Sequence, residues 1–339
     1  ENGTCSPVIE VIVKSWNVDM NGTLCRRNPT WAMMMPVTGS IDLARPPAPG
    51  APSLPGPEFH SLMAELRDEG AMVTATFLGQ PCRLVTRYAE LDAAFRDDEG
   101  FPAGPTYATT IEPCQGVTFE SVDGPEHHLL RALTTRELRA RPIARYADDH
   151  IGAIADRVID ELLVTLDRDG EVDLVADFTA RFPFLVFGHR MGLPEDRADE
   201  YLRWSFDILG YPADPARGLA AAAELTAYVE PVLADRRSCP ADDMLSSMVT
   251  ASRGDRTLDD GEILSHVRAI FAAGASTTHH GLGNTLHALL THPDTAAQLS
   301  AAPRLVPAAV DEMLRWDPPL GVLPRIAPFD TMVAGQPVE

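Results

Sequence analysis

One continuous helical pattern, from residue 258 to residue 291, dominates the second half of the chain. Asp259 or Asp260 is suited to cap the start of this helix, and Pro293 lies just beyond its end. A helix of about 33 residues is about 50 Å long, which is enough to cross a whole domain. The chain therefore has to fold around this element, and we predict a mainly α fold with small β-sheets.

Small residues occupy the middle of this helix, in the segment Ala273-Gly274-Ala275-Ser276-Thr277. Glycine costs about 1 kcal/mol relative to alanine inside a helix, so Gly274 suggests that something packs close to the backbone. Thr277 can donate to a carbonyl one turn earlier, or release that bond to a water or a ligand. Two interpretations stay open: close packing of two helices, or a dent where a flat cofactor and a small molecule meet the helix.

A pair of opposite charges follows on the next long helix. Glu312 and Arg315 lie three residues apart, and Glu312 comes 35 residues after Thr277. Because apolar residues precede the pair on the same helix, we expect it to be buried and to brace the site. The chain contains a second pair of this kind, Glu200 and Arg203, which we expect to be exposed.

A third group of residues opens another helix. Asp123 is a suitable N-cap with a proline soon after it, and His127 and Arg131 then share one helical face. Two cations on one face would suit the carboxylates of an acidic cofactor, and Arg325 could supply another. An ordinary surface histidine is the alternative interpretation of His127.

The composition excludes several classes of function. The chain has 339 residues, 45% of them hydrophobic, and a net charge of -21, which argues against nucleic acid or an anionic membrane as partner. Its five cysteines lie far apart, as in a reducing compartment. No apolar run approaches the ~18 residues of a membrane span, and we expect no secretory signal. We therefore predict a cytoplasmic location.

The chain divides into a dissimilar beginning and one long body. Residues 1–40 form an N-terminal extension, and the sequence does not indicate whether it belongs to the folded protein. Residues 41–339 form one domain. Within that domain we predict a hairpin over residues 73–86, a long irregular loop over residues 97–122, and helices thereafter. Residues 329–338 resemble one arm and the turn of an unfinished hairpin.

These three groups of residues, in this order and spacing, resemble bacterial soluble cytochrome P-450 monooxygenases, which are haem-thiolate oxidoreductases. The resemblance covers about residues 45–339. It implies the cytochrome P-450 fold, incomplete at the C-terminus, with haem b as the iron cofactor. It also implies hydroxylation or epoxidation of a small apolar substrate, using O₂ and two electrons from a ferredoxin-type donor.

The resemblance also implies a role for each singled-out residue on the long helix. Ala273 and Gly274 would form the oxygen-binding dent, and Thr277 would hydrogen-bond the dioxygen. The family usually carries Asp or Glu where this chain has Ser276, and a hydroxyl cannot supply a carboxylate's proton. We therefore expect Ser276→Asp to change how tightly oxygen activation is coupled to product formation.

The other implied roles concern the rest of the cofactor site. His127, Arg131 and Arg325 would contact the haem propionates, and Glu312 with Arg315 would be the structural pair on the proximal side. The loop over residues 97–122 and the helices at about 184–225 would shape the substrate pocket.

The family's thiolate ligand lies in a Phe-x-x-Gly-x-x-x-Cys-x-Gly loop near the C-terminus. None of the five cysteines has this context, and all precede Glu312. We therefore expect a fragment that lacks its haem-thiolate part, holds no metal ligand of its own and is inactive alone. The alternative is a non-catalytic relative that has lost haem binding and serves as a partner or activator. An unrelated helical binding protein is the third interpretation.

A cluster of basic residues stands out in this acidic chain. Between residues 131 and 145 there are five arginines and only one acid, Glu137. Such a cluster could dock an acidic ferredoxin, and a solvated helix surface is the alternative.

Overall fold

The structure is a computed structural model that describes residues 8–10, 41–42, 57–77 and 80–338. Most of the predicted extension, including Cys5 and Cys25, lies outside the described residues. The described helices are α1 (Pro57–Glu69), α2 (Tyr88–Arg96), α3 (Gly104–Thr110), α4 (Glu112–Gln115), α5 (Gly124–Thr134), α6 (Ala140–Tyr146), α7 (Gly152–Asp169), α8 (Phe182–Met191), α9 (Ala198–Leu209), α10 (Pro215–Ser238), α11 (Met244–Thr250), α12 (Asp260–Thr291), α13 (Pro293–Ala301) and α14 (Val306–Trp316). The predicted mainly α fold is confirmed.

The strands are few and short. They are β1 (Val8–Glu10), β2 (Ile41–Asp42), β3 (Met72–Phe77), β4 (Gln80–Val85), β5 (Ser252–Arg253), β6 (Arg256–Thr257), β7 (Arg325–Ile326), β8 (Thr331–Val333) and β9 (Gln336–Val338). One sheet has the order β2-β3-β4-β1-β7, and two further sheets pair β5 with β6 and β8 with β9. The antiparallel pairing of β3 and β4 confirms the predicted hairpin.

The hairpin at the end of the described chain has both of its arms. Strands β8 and β9 run antiparallel, with Thr331 opposite Val338. Ala334 and Gly335 connect them, with φ values of 52° and 73°. Two consecutive residues with positive φ form the tight turn whose twist matches that of the flanking strands.

The chain forms two compact units. One comprises Glu1–Pro102 with Pro318–Glu339 and carries the five-stranded sheet and the β8–β9 hairpin; the other is Ala103–Asp317 and carries α3 to α14. The predicted boundary at residue 40 stays a prediction.

Helix α12 is the central element of the larger unit and confirms the predicted long helix. A capping box starts it: the Asp259 carboxylate accepts from the Glu262 N–H at 2.8 Å, and the Glu262 carboxylate accepts from the Asp259 N–H at 3.0 Å. The helix packs against α8, α9 and α10. The unit's largest fully buried side chains include Phe184, Tyr201, Trp204, Leu225 and Phe271.

The prediction of an irregular loop over residues 97–122 is wrong, because α3 and α4 lie inside it. Each helix has a proline in its first turn, Pro105 in α3 and Pro113 in α4. Proline lacks only an N–H that the first turn leaves unbonded, and its fixed φ suits a helix start. Gly116, with a φ of 88°, then ends α4. The prolines and the glycine that predicted an irregular loop therefore lie at the starts and the end of short helices.

No helix within the described ranges combines the length and the apolar character that crossing a bilayer requires.

Candidate functional site

Two adjacent hydroxyl groups in the middle of α12 bond to their own helix. The Thr277 hydroxyl donates to the Ala273 carbonyl at 2.9 Å, as the sequence suggested, and the Ser276 hydroxyl donates to the Ala272 carbonyl at 2.7 Å. Their surroundings differ, since Ser276 is 2% exposed whereas Thr277 is half-buried. The Thr277 hydroxyl is therefore the more accessible of the two to a ligand.

Gly274 is in close contact with α8. A Cβ atom built on Gly274 would lie 2.4 Å from Cζ of Phe187, which is closer than real Cβ atoms come. The missing side chain thus makes room for an aromatic ring of the neighbouring helix. The packing interpretation accounts for Gly274, and its contribution to an oxygen-binding dent stays a prediction.

The loop between α4 and α5 is held between two histidines. His127 on α5 donates from Nδ1 to the Phe119 carbonyl at 2.7 Å. On α12, His266 accepts the Phe119 N–H through Nε2 at 3.1 Å and donates from Nδ1 to the Glu262 carbonyl at 2.7 Å. Burial lowers the pKa of His266, which is consistent with this neutral tautomer. In the structure, His127 therefore anchors the loop through Phe119. Its contact with a haem propionate remains a prediction.

The three cations predicted to face the cofactor are distributed over both units. Arg131 is exposed and shares α5 with His127. Arg325 belongs to the smaller unit, where its Nη1 donates to the Pro324 carbonyl at 2.8 Å and its guanidinium lies 5.2 Å from the centre of the Phe95 ring. Within the larger unit, His127 and Arg131 lie on the same helix, α5.

The prediction that Glu312 and Arg315 are buried is wrong. The two side chains form a two-bonded ion pair at 2.7 and 2.6 Å, but they are 57% and 68% exposed. Helix α14 has no buried residue, although it packs against α12. The hydrogen bond from Arg315 lowers the pKa of Glu312. The second pair, Glu200 with Arg203, is only half-exposed and extends to further charged partners.

The cysteines test whether the described residues fit a haem-thiolate cofactor. Cys82 and Cys114 are buried and Cys239 is exposed. Burial raises the pKa of Cys114, which favours the thiol, whereas iron binds the thiolate. Within the described ranges no three His, Cys, Asp or Glu side chains converge as metal ligands. Among the described residues, therefore, no group fits a haem-thiolate ligand.

Comparison with known proteins places this architecture in one family. The family model described as Cytochrome P450 matches residues 225–339. The chain is 31% identical to the Vitamin D(3) 25-hydroxylase of Pseudonocardia autotrophica, over 81% of the chain and 69% of that protein. It is 32% identical to the Mycinamicin IV hydroxylase/epoxidase of Micromonospora griseorubida, over 77% of the chain and 68% of that protein.

A solved structure shows the same fold. Cytochrome P450 CYP109Q5 from Chondromyces apiculatus superimposes with a TM-score of 0.71 at 28% identity, over 84% of this chain and 72% of that one. The chain belongs to the cytochrome P450 family, whose members carry haem. Two other relatives are matched over 66% and 52% of their own length, so the chain spans about half to two thirds of them.

Proposed function

We propose that the protein is a haem b-dependent monooxygenase that hydroxylates or epoxidises a small apolar molecule in the cytoplasm. In this class, one atom of O₂ enters the substrate and the other leaves as water, with two electrons from a redox partner. The hydroxylase and epoxidase names of the two relatives support this reaction type. We also propose that residues 41–339 belong to one cytochrome P-450 domain.

The observation that carries the proposal is the Thr277 hydroxyl. It lies half-buried in the middle of the long central helix and donates to the Ala273 carbonyl at 2.9 Å. A threonine bonded back to its own helix can exchange that bond for one to a water or a ligand. We therefore assign to Thr277 the exchange of a proton or hydrogen bond at the reacting oxygen, with Ser276 beside it.

The remaining site residues have supporting roles in the proposal. Ala273 and Gly274 form the wall of the haem pocket; His127, Arg131 and Arg325 bind propionates; and Glu312 with Arg315 forms the structural pair. A thiolate ligand has to come from a residue other than Cys82, Cys114 and Cys239, because none of these fits the position.

The basic cluster supports an acidic, ferredoxin-type electron donor. Its exposed arginines are Arg131, Arg136, Arg139, Arg141 and Arg145. Glu137, the one acid among them, is turned toward Arg190 and forms an ion pair in which Arg190 is 8% exposed. The acid is thus neutralised by a residue outside the cluster, and Asp149 pairs with Arg145 at 3.5 Å, so the surface keeps most of its positive charge. Arg139→Glu with Arg141→Glu should slow reduction by a ferredoxin at low salt, and Arg304→Glu, an exposed change elsewhere, should not.

The test of the proposal is the spectrum of the reduced protein with CO, recorded on protein expressed from its complete reading frame. The proposal predicts a thiolate-type Soret band and one haem per chain. A protein that folds but binds no haem would contradict it and would favour the non-catalytic partner or activator.

A further inference from the structure

A partly buried arginine on α12 has no carboxylate partner among the described residues. Arg268 donates to three neutral acceptors: the Gln115 carbonyl at 2.8 Å from Nε, the Thr226 hydroxyl at 2.7 Å from Nη1 and the Ser265 hydroxyl at 3.1 Å from Nη2. A guanidinium has more N–H groups than these bonds use, and it stays charged. Arg268 therefore keeps donors and a positive charge for another acceptor.

The other well-buried arginines of this unit show that the lack of a carboxylate is unusual. Arg190 pairs with Glu137, and Arg236 pairs with Asp243 at 2.6 Å. A desolvated cation without an anion is costly, and this cost makes a buried charge bind an anion when one is offered. Burial accordingly lowers the pKa of Arg268.

Arg268 lies in an open groove of about 430 Å³ formed by α4, α10 and α12. The wall of the groove on α10 is largely apolar, with Leu219, Ala222, Ala223 and Ala227. Arg268 precedes Ala273 by five residues on α12, which is about 7.5 Å along the helix axis. The groove thus combines an apolar wall with one cationic end.

A second polar group at the cationic end also lacks a partner. Gln115 is 1% exposed, and within the described residues neither its side-chain nitrogen nor its oxygen has a hydrogen-bond partner. The Gln115 backbone lies beside Arg268, since its carbonyl accepts the Arg268 Nε–H bond at 2.8 Å. Gly116 follows with a φ of 88°, and a Cβ atom built on Gly116 would lie 2.3 Å from the Ser265 hydroxyl. Buried polar groups are normally bonded, so this amide is unusual, although Gln115 does not line the groove.

We propose that this groove binds an amphipathic organic acid, with its carboxylate on Arg268 and its apolar body along α10. A carboxylate accepts two N–H bonds from a guanidinium. Glu230 is the one carboxylate that lines the groove, and it repels rather than binds an acid. The proposal names a substrate class and rests on the proposed function only for the statement that this acid is oxidised.

The test is calorimetric titration of the 339-residue chain with octanoate and with octan-1-ol, which share an apolar body and differ in charge. We expect octanoate to bind about tenfold more tightly, since hydrogen bonds to charged groups are worth that factor. Arg268→Gln should abolish this preference, and Arg268→Lys should retain part of it. Glu230→Gln, which changes the opposite charge in the same groove, should leave octanoate binding as tight or tighter.

Two results would overturn the proposal. One is equal affinity of the unchanged chain for octanoate and octan-1-ol, a result that needs no variant to fold. The other is an equal loss of octanoate binding in Arg268→Gln and Glu230→Gln. Such a loss would show that octanoate affinity depends on the intact shape of the groove and not on the Arg268 guanidinium. Calorimetry reports acid binding whether or not haem is present, so its outcome is distinct from that of the CO spectrum.

Discussion

Gly274 has no room for a side chain, because a Cβ there would lie 2.4 Å from the Phe187 ring. Gly274→Ala should therefore lower the free energy of unfolding by about 1–2 kcal/mol, as overpacking outweighs the gain in helix propensity. Gly283→Ala on the same helix is the matched control, since nothing lies within 4 Å of its built Cβ. That variant should be stabilised by up to about 1 kcal/mol. Equal shifts in thermal unfolding of the two variants would refute close packing at Gly274.

Ser276 differs from Thr277 in being 2% exposed, with its hydroxyl bonded to the Ala272 carbonyl. Asp at this position would place a carboxylate beside a carbonyl oxygen in a buried environment. We expect Ser276→Asp to destabilise the protein by about 2 kcal/mol or more and to change the product formed per NAD(P)H consumed. Ser276→Ala is the control, with little loss of stability. Unchanged stability and unchanged coupling in Ser276→Asp would contradict this account.

Residue-scale features were predictable where they are local. The back-bond of Thr277 to Ala273 follows from helix geometry, and the sequence indicated it. The importance of Arg268 was not predictable, because its partner Gln115 lies 153 positions away and its partner Thr226 lies 42 away. Arg268 differs from the other buried arginines in having no carboxylate partner among the described residues. A sequence motif cannot indicate that such a partner is absent.

Two ion pairs of the larger unit differ in burial: Glu137 with Arg190, and Glu312 with Arg315 on α14. Glu137 pairs with Arg190, whose side chain is 8% exposed, whereas the Glu312–Arg315 pair lies on an open surface. Glu137→Gln leaves a buried guanidinium uncompensated, so it should cost about 3 kcal/mol of unfolding free energy. Glu312→Gln in the same 339-residue chain should leave the unfolding midpoint unchanged. Similar losses in both variants would show that burial does not set the strength of these pairs.

At the level of elements, prediction succeeded for long helices with their own end signals. Helix α12 begins at a capping box formed by Asp259 and Glu262, and both residues are legible in the sequence. The burial of the Glu312–Arg315 pair failed as a prediction, since apolar neighbours on one helix do not show what covers that helix. The short helices α3 and α4 failed because proline was weighed as a breaker rather than as a first-turn residue.

Several buried histidines give the whole molecule a common response to acid. Burial is the first cause that lowers the pKa of His266 and His279, and burial with the nearby charge of His279 lowers that of His280 to about 4. The ordinary histidine pKa is about 6.5, so below that pH the unfolded chain binds more protons than the folded one. The stabilising contribution of His280 is therefore complete above about pH 6.5 and is lost as the pH falls toward about 4.

His280→Gln tests this response. Between about pH 7.5 and about pH 5, the unchanged protein should lose more unfolding free energy than His280→Gln does, by at most about 1.4 kcal/mol per pH unit below pH 6.5. Denaturant unfolding at the two pH values measures the difference. Equal losses would show that His280 takes up its proton equally well in the folded and unfolded states.

Whole-molecule features were the least accessible from sequence. The pairing of β1 with both β4 and β7 joins segments far apart in the chain, and no turn signal announces it. The family, by contrast, could be predicted from the spacing of three short motifs, and the comparisons confirm it.

The central claim is that this chain belongs to a monooxygenase, and ¹⁸O₂ labelling tests it most directly. Protein from the complete reading frame is supplied with a ferredoxin, its reductase, NAD(P)H, a library of apolar small molecules and, separately, octanoate. We expect products that carry one ¹⁸O atom under ¹⁸O₂ and none under H₂¹⁸O. Label that enters from water, or haem-loaded protein that forms no labelled product, would contradict it.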